Sequence, residues 1–424
     1  MIAEPRYRSR PLWSHTPVAD YQINSVALSD DGHVCLYGTA SESGQGNMLV
    51  GCHLGKQQPA WQVEVGGDMS REGVFWVALS GNGHIGAAGG KTDAQQGFLQ
   101  VYDIFNHGRL LLDEILPARV NQVALNQTGD RLLVVFNGRV RLYFQAQDKR
   151  YQLVDEYPLC LNETNQFYSK SCAFSTDGSR AVVAGINYDL QVGCVFCFDV
   201  DSTLKLKRAD QLDSGVMRVA ITHDGSYWAA SMQDGSCAAF CDNHIEGPLW
   251  RYLPQKTGLY RAYGLAITLT SEPALVVACG ANIRSPQSYW QGMHPFQSSS
   301  TQEQGFLYVL KDHLHNPGRG RYPMPTMLWG RRLAYSVNPG VSLDREATLV
   351  TATDGLPGSD VIIASGDSPG NFYLFDAGTG CQRWHFHTQR MNWPMVLSQD
   401  GKKVLGGSDN GSVYYWDSDA LETA

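Results

Sequence analysis

An alternating apolar run that closes on a short polar turn recurs along the chain. VALSDDG ends at Gly32, VALSGNG at Gly83, VALNQTG at Gly129, CAFSTDG at Gly178, VAITHDG at Gly225 and PMVLSQDG at Gly401. Two looser copies fill the gap: LAITLTSEP ends at Pro273, and GVSLDRE carries Asp344 where the turn aspartate is expected. The period is roughly 50 residues, with one large insertion before the seventh copy. Each turn needs a residue at positive φ, which favours Gly, so each copy predicts a hairpin. A second apolar run follows, such as HIGAAGG (84–90). A third ends in an aromatic and Asp: FLQVYD to Asp103, CVFCFD to Asp199, FYLFD to Asp376 and VYYWD to Asp417. A fourth, more polar run often carries tryptophan, at Trp61, Trp250, Trp329 and Trp384.

Four antiparallel strands in a repeat of this length make the blade of a β-propeller. The expected fold is all-β: one closed propeller domain over 1–424, with insertions at 284–304 and 311–327. Eight copies predict eight blades. Seven is the alternative, because copies six and seven are degenerate and far apart. Segment 347–367 reads either as one long hairpin or as part of an extra strand pair. The eighth copy stops after its third strand at Asp417, while the chain begins with PLWSHTPV, a fourth-strand pattern around Trp13. The N-terminal strand is therefore expected to complete the last blade, which removes open sheet edges.

Composition narrows the classes of partner. With 33 basic and 41 acidic residues the net charge is −8, which argues against nucleic acid and against an anionic membrane. MIAEPRYRSRPLWSH lacks the apolar core of a signal peptide, and no stretch reaches the ~18 apolar residues of a spanning helix. The ten cysteines are scattered, mostly in apolar runs, as expected of buried thiols in a reducing compartment. A cytoplasmic protein is expected.

Two stretches carry a family resemblance. SDNGSVYYWD (408–417) is similar to the WD-repeat pattern, and FDAGTGCQRW (375–384) resembles the A-x-D-x-x-T-G-x-x-x-W blade signature of quinoproteins. The chain thus looks like a propeller of the WD-repeat and quinoprotein-like superfamily. Gly-His, usual in WD repeats, occurs only in the hairpin turns at Gly32-His33 and Gly83-His84, and only the seventh copy has the D-x-x-T-G-x-x-x-W part of the quinoprotein signature, with Leu374 in place of its Ala. Quinone-dependent dehydrogenases of that kind are exported and stack their cofactor on a disulfide between adjacent cysteines. This chain has no adjacent cysteine pair. Trp384 is therefore expected to pack across neighbouring blades and Asp376 to shape a turn.

Other motifs yield to the same reasoning. GDSPG (366–370) and GNGHIG (81–86) mimic a nucleophile elbow and a phosphate loop, but neither leads into a helix. Cys194 and Cys197 would point to opposite faces of a strand. Cys237 with Cys241, and His385 and His387 with His313 and His315, lack a convincing ligand set. No catalytic, cofactor-binding or metal-binding residue is assigned, and no cofactor is expected.

What remains is the rim of the channel. In propellers of this superfamily, loops before the first strand and between the second and third share one face. Reading the residues just before each first strand gives Tyr21, Arg71, Trp76, Arg119, Tyr168, Lys170, Arg218, Tyr260, Arg261, Tyr263, Arg390 and Trp393. The 284–304 insertion adds Tyr289, Trp290, Met293 and Phe296. Arginine and aromatics are the residue types of interface hot spots. The expectation is a non-enzymatic protein–protein interaction scaffold, a subunit or adaptor in a larger hetero-complex, binding an acidic peptide or loop of a protein partner. The alternative is a hydrolase or lyase working at the channel mouth, and a quinone-dependent dehydrogenase stands last.

Overall fold

A computed structural model describes residues 10–419, apart from 20, 42–45, 55, 57, 66–70, 93–94, 163–164, 245–246, 255–257, 284–303, 315–323, 338 and 356–368. Its regular structure is strand. Strand β1 (Trp13–His15) is followed by units of four: β2–β5 (Gln22–Leu28, Val34–Ala40, Asn47–His53, Trp61–Val65) and β6–β9 (Arg71–Leu79, Ile85–Thr92, Gly97–Asp103, Arg109–Leu116). Next come β10–β13 (Val120–Leu125, Arg131–Phe136, Arg139–Gln145, Tyr151–Pro158) and β14–β17 (Tyr168–Phe174, Arg180–Asn187, Val192–Val200, Leu204–Leu212). Then follow β18–β21 (Val216–Ile221, Tyr227–Met232, Cys237–Cys241, Trp250–Tyr252) and β22–β25 (Leu259–Leu269, Ala274–Ile283, Gln304–His313, Thr326–Arg332). The last are β26–β29 (Ser336–Val337, Leu349–Gly355, Gly370–Asp376, Gln382–Thr388) and β30–β32 (Asn392–Leu397, Lys403–Ser408, Val413–Asp417).

Within each unit, consecutive strands pair antiparallel, and β2–β5 touches β6–β9 through one bridge, Ala40 to Gly73. The last sheet runs β1-β32-β31-β30, with Trp13 opposite Tyr415. The N-terminal strand thus completes the C-terminal unit, as its Trp13 pattern predicts. The ambiguous 347–367 region contributes β27, which pairs with β28 from Leu349↔Asp376 to Gly355↔Gly370.

The polar turns repeat for a physical reason. Ser29 Oγ donates to Asp31 Oδ1 (2.6 Å) and accepts from the Val34 amide (3.0 Å), while Gly32 takes φ +71. Ser175, Thr222 and Ser398 do the same with Asp177, Asp224 and Asp400. The seventh turn corrects the sequence register. Asp344 occupies the serine position, accepting from the Leu349 amide (2.7 Å), and Ala347 at φ +52 stands where the glycine would be. A carboxylate accepts that amide as well as a hydroxyl does, so the turn survives without its usual letters.

Packing knits each unit to the next. Trp61 stacks on Tyr102 (5.3 Å between centroids), Trp250 Nε1 donates to Asp312 Oδ2 (3.1 Å), and Trp329 Nε1 donates to the Ala377 carbonyl (2.7 Å). Trp384, fully buried, packs against Trp416 at 5.3 Å. The FDAGTGCQRW stretch is thus architectural. Asp376 Oδ1 accepts from the Thr379 amide and hydroxyl, both at 2.9 Å, and Gly380 at φ +73 lies under Trp329, where a Cβ would come within 2.6 Å of the indole. Cys194 and Cys197 enter different core clusters, as opposite strand faces require. One cluster joins Ile23, Tyr37 and Val50 of the first unit to Leu405 and Tyr415 of the last, so the core continues around the molecule.

Candidate functional site: a cationic, aromatic channel mouth

The first strands surround the axis, and their two ends differ. At one end the polar turns meet. Asp30 N–H donates to Gly81 O, Asn82 to Gln127, Gln127 to Thr176, Thr176 to His223, Arg345 to Gln399 and Gln399 to Asp30, at 2.9–3.1 Å. His223 bridges Thr176 and Gln399 at 2.7 Å each. These groups line a cavity of about 240 Å³ to which every unit contributes, through Asp30, Gly81, Gln127, Thr176, His223, Thr268, Leu343 and Gln399. Its polar groups are largely occupied with one another.

At the other end the strands are bulged. Register shifts fall at Asn24, Phe75, Asn121, Lys170 and Met217, between flanking pairs such as Val120/Gln122 and Ser169/Ser171. A bulge re-aims a side chain and ends regular pairing, and these lie at equivalent positions. The residue before or within the bulge carries the chemistry.

Arg119 donates through Nε and Nη2 to Asn121 Oδ1 (3.2 and 3.1 Å) and lies over the Phe75 ring at 5.2 Å. Tyr168 donates its hydroxyl to the same Asn121 oxygen (3.2 Å), and Asn121 Nδ2 donates to the Ser169 carbonyl (2.7 Å). Lys170 Nζ sits between the rings of Tyr168 (5.1 Å) and Tyr188 (5.4 Å). Arg218 lies 4.6 Å above Trp76 and 3.4 Å from Gln122 Oε1, so it reaches across the channel to two other units. Arg261 holds φ +44, uncommon for a non-glycine residue, over the Tyr260 ring at 5.8 Å.

The charges feel one another. Burial pushes the Lys170 ammonium below its usual range, and the cations of Arg119, Arg218 and Arg261 push the same way. Loss of hydration moves Arg218 down to about 10, opposed by Tyr263 and Cys172, so it stays cationic at neutral pH. Elsewhere arginines find carboxylates: Arg141 with Glu114 (2.8 Å), Arg180 with Asp242 (2.8 Å), Arg208 with Asp210 (2.6 Å). Among the described residues no carboxylate pairs with Arg119, Lys170, Arg218 or Arg261.

Of the residues marked from sequence, the structure gathers Trp76, Arg119, Tyr168, Lys170, Arg218, Tyr260, Arg261 and Tyr263. Trp76 and Arg218 engage each other within the channel and so are less available than rim residues. Arg71 opens β6. Trp393 donates Nε1 to Asp409 (3.3 Å), and the Arg390 carbonyl accepts from Thr388 Oγ1 (2.5 Å). No contact among the described residues ties these two to the cluster. Tyr289, Trp290 and Phe296 lie outside the described residues. Sequence reading missed Tyr188, 47% exposed at the tip between β15 and β16, and Phe75 and Asn121 at the bulges. The Tyr188 signal was its place between second and third strands, a loop of the same face.

Among the described residues, no group of three or more His, Cys, Asp or Glu side chains is placed to hold a metal ion, and no helix is long and apolar enough to cross a membrane.

No family model and no curated protein matches the sequence. Solved structures do resemble the fold. Sqt1 of Saccharomyces cerevisiae superposes with a TM-score of 0.67 at 10% identity, over 97% of this chain and 99% of that one. Chaetomium thermophilum Sqt1, bound to the N-terminus of the ribosomal protein L10, gives 0.65 at 11% identity over 97% and 100%. The Cps50 (Swd1) β-propeller domain of Myceliophteria thermophila gives 0.54 at 10% over 95% and 99%. Across nearly its whole length the chain therefore shares its fold, a β-propeller, with these structures.

Proposed function

We propose that the chain is a non-enzymatic interaction scaffold, a single eight-bladed propeller domain of the cytoplasm that takes an acidic peptide or loop of a protein partner on its cationic mouth. The count takes β2–β5 and β6–β9 as separate blades and β1 as the outer strand of the last. One observation carries the reading: Arg119, Lys170, Arg218 and Arg261 share a half-buried, aromatic-lined site without a carboxylate among the described residues, in a molecule of net charge −8. Crowded, partly desolvated cations repel one another, and a ligand carboxylate would relieve that cost while accepting charge-assisted hydrogen bonds. Aromatic rings held by packing add contact area at low entropic cost. A fold relative holding the N-terminus of another protein is consistent with peptide capture on such a scaffold.

Fluorescence anisotropy with a labelled polyglutamate peptide tests this. Saturable binding that weakens with salt and is lost in Lys170→Glu/Arg261→Glu supports the reading. Equal binding by wild type and the double variant, or no binding by either, overturns it.

A further inference from the structure

The β15–β16 hairpin stands beside the cationic mouth and ends in two large exposed side chains, Tyr188 (47%) and Leu190 (54%). Other hairpins that join a second strand to a third end in polar residues: Asn137-Gly138 after β11, Gln233-Asp234-Gly235 after β19, Asp409-Asn410-Gly411 after β31. The β15–β16 tip departs from that pattern, and it is held in shape. Asn187 Oδ1 accepts from the Leu190 amide (3.0 Å), Gln191 takes φ +57, and Gln191 Nε2 donates to the Tyr188 carbonyl (2.5 Å).

Tyr188 ties this tip to the mouth. Its ring lies 5.4 Å from Lys170 Nζ and 6.0 Å from the Tyr168 ring, and Tyr168 bonds the Asn121 side chain that holds Arg119. Burial and the neighbouring Tyr168 raise the Tyr188 hydroxyl above its usual range, against the pull of Arg119 and Arg261. Both guanidiniums are therefore within electrostatic reach of the tip.

We infer that this tip is the apolar lip of the peptide site: it takes one large apolar side chain of the acidic partner segment whose carboxylates lie on Arg119, Lys170 and Arg261. The inference rests on the proposed function and narrows the partner to an acidic segment that carries a Leu, Met or Phe among its acids. Charge complementarity selects that occupant, because the cations around Tyr188 have no carboxylate among the described residues. An acid run alone would leave Leu190 and the exposed part of Tyr188 in water. An apolar residue among the acids removes that surface from water, and a tip already fixed by its own hydrogen bonds loses little freedom when covered. Charge steers the segment in, and the lip sets its register.

Two polyglutamate peptides of equal length that differ only in a central Phe or Ala separate the lip from the charge. By fluorescence anisotropy the Phe peptide should bind the wild type about fivefold or more tighter, as partial burial of one apolar side chain predicts. Leu190→Ser should remove most of that preference and leave the Ala peptide's affinity unchanged. Leu206→Ser should keep it, since this exposed leucine pairs with Phe198 toward the opposite end of the same sheet. Equal wild-type affinity for the two peptides overturns the lip and leaves the charge-based reading standing. A preference that survives Leu190→Ser, or a loss shared equally by both peptides, overturns it as well. Failure of both peptides to bind the wild type removes both readings.

Discussion

The two mouths of one channel are built to opposite rules. At the turn end, backbone amides bond from unit to unit, each serine, threonine or aspartate finds its partner within a few residues, and His223 and Gln399 meet across the axis. At the bulged end, cations face rings and amides but no acid among the described residues, and a non-glycine residue, Arg261, stands at positive φ. The first end stabilises the fold. The second leaves polar potential unspent and keeps strain and crowded charge in place.

The sharpest way to break the contrast is at the turn end. Gly129 holds φ +80, and a Cβ there would meet the Ile85 side chain at 2.7 Å. Gly129→Val is expected to cost about 3 kcal/mol, from left-handed strain and overpacking, seen as a lower urea midpoint. Peptide affinity measured below that midpoint should stay as in wild type. Next in size, Lys170→Glu/Arg261→Glu should weaken an acidic peptide at least tenfold by anisotropy without lowering the urea midpoint, since among the described residues neither side chain has an ion pair to lose. If the midpoint falls instead, these cations are structural and the two mouths do not differ in kind.

A smaller effect is expected from Asp177→Ala. Asp177 Oδ1 accepts from Ser175 Oγ (2.7 Å), the Ser179 amide (3.0 Å) and Ser179 Oγ (2.9 Å), so about 1–2 kcal/mol should be lost in urea titration. The smallest signal is in the pH dependence, and its sign separates the ends. Asp31, Asp177, Asp224 and Asp400 lie below the usual carboxylate range: hydrogen bonds from neighbouring hydroxyls and amides outweigh desolvation, which is the largest single influence and acts the other way. Their contribution is present above the unfolded value of ~3.9 and fades as pH falls through the folded values. Lys170 behaves oppositely. With its folded value depressed, the unfolded chain binds the extra proton between that value and ~10.4, so its contribution rises with pH across that window. Difference melts of Lys170→Met against wild type should lose this alkaline rise. An unchanged slope would mean that the ammonium is not crowded.

Much of the architecture is written locally, and the site much less so. Gly32, Gly83 and Gly225 are legible because a turn at positive φ admits few other residues, and the flanking serine or threonine bonds within five positions. The seventh turn hides for the same reason: Ala347 carries no turn signal, and Asp344 reads as the aspartate of the turn when it fills the serine's place. Trp384 is readable as an inter-unit wedge because its analogues recur. The pairing of Arg218 with Trp76 depends on curvature that brings distant strands around one axis, and no local pattern encodes it. Tyr188 has the look of an ordinary hairpin residue until Lys170 is seen beside it.

The pairing of β1 with β32 carries a consequence for how the chain is made. Thr16 bonds Ser412 at 2.7 Å across 396 positions, and Tyr415 reaches the Gly32 carbonyl at 3.0 Å. During synthesis the first unit waits, one flank uncovered, until the last strands leave the ribosome. Ring closure is thus a late, high-contact-order event. In that interval Ile23, Tyr37 and Val50 lack their partners Leu405 and Tyr415, and a chaperone has its widest opportunity to act.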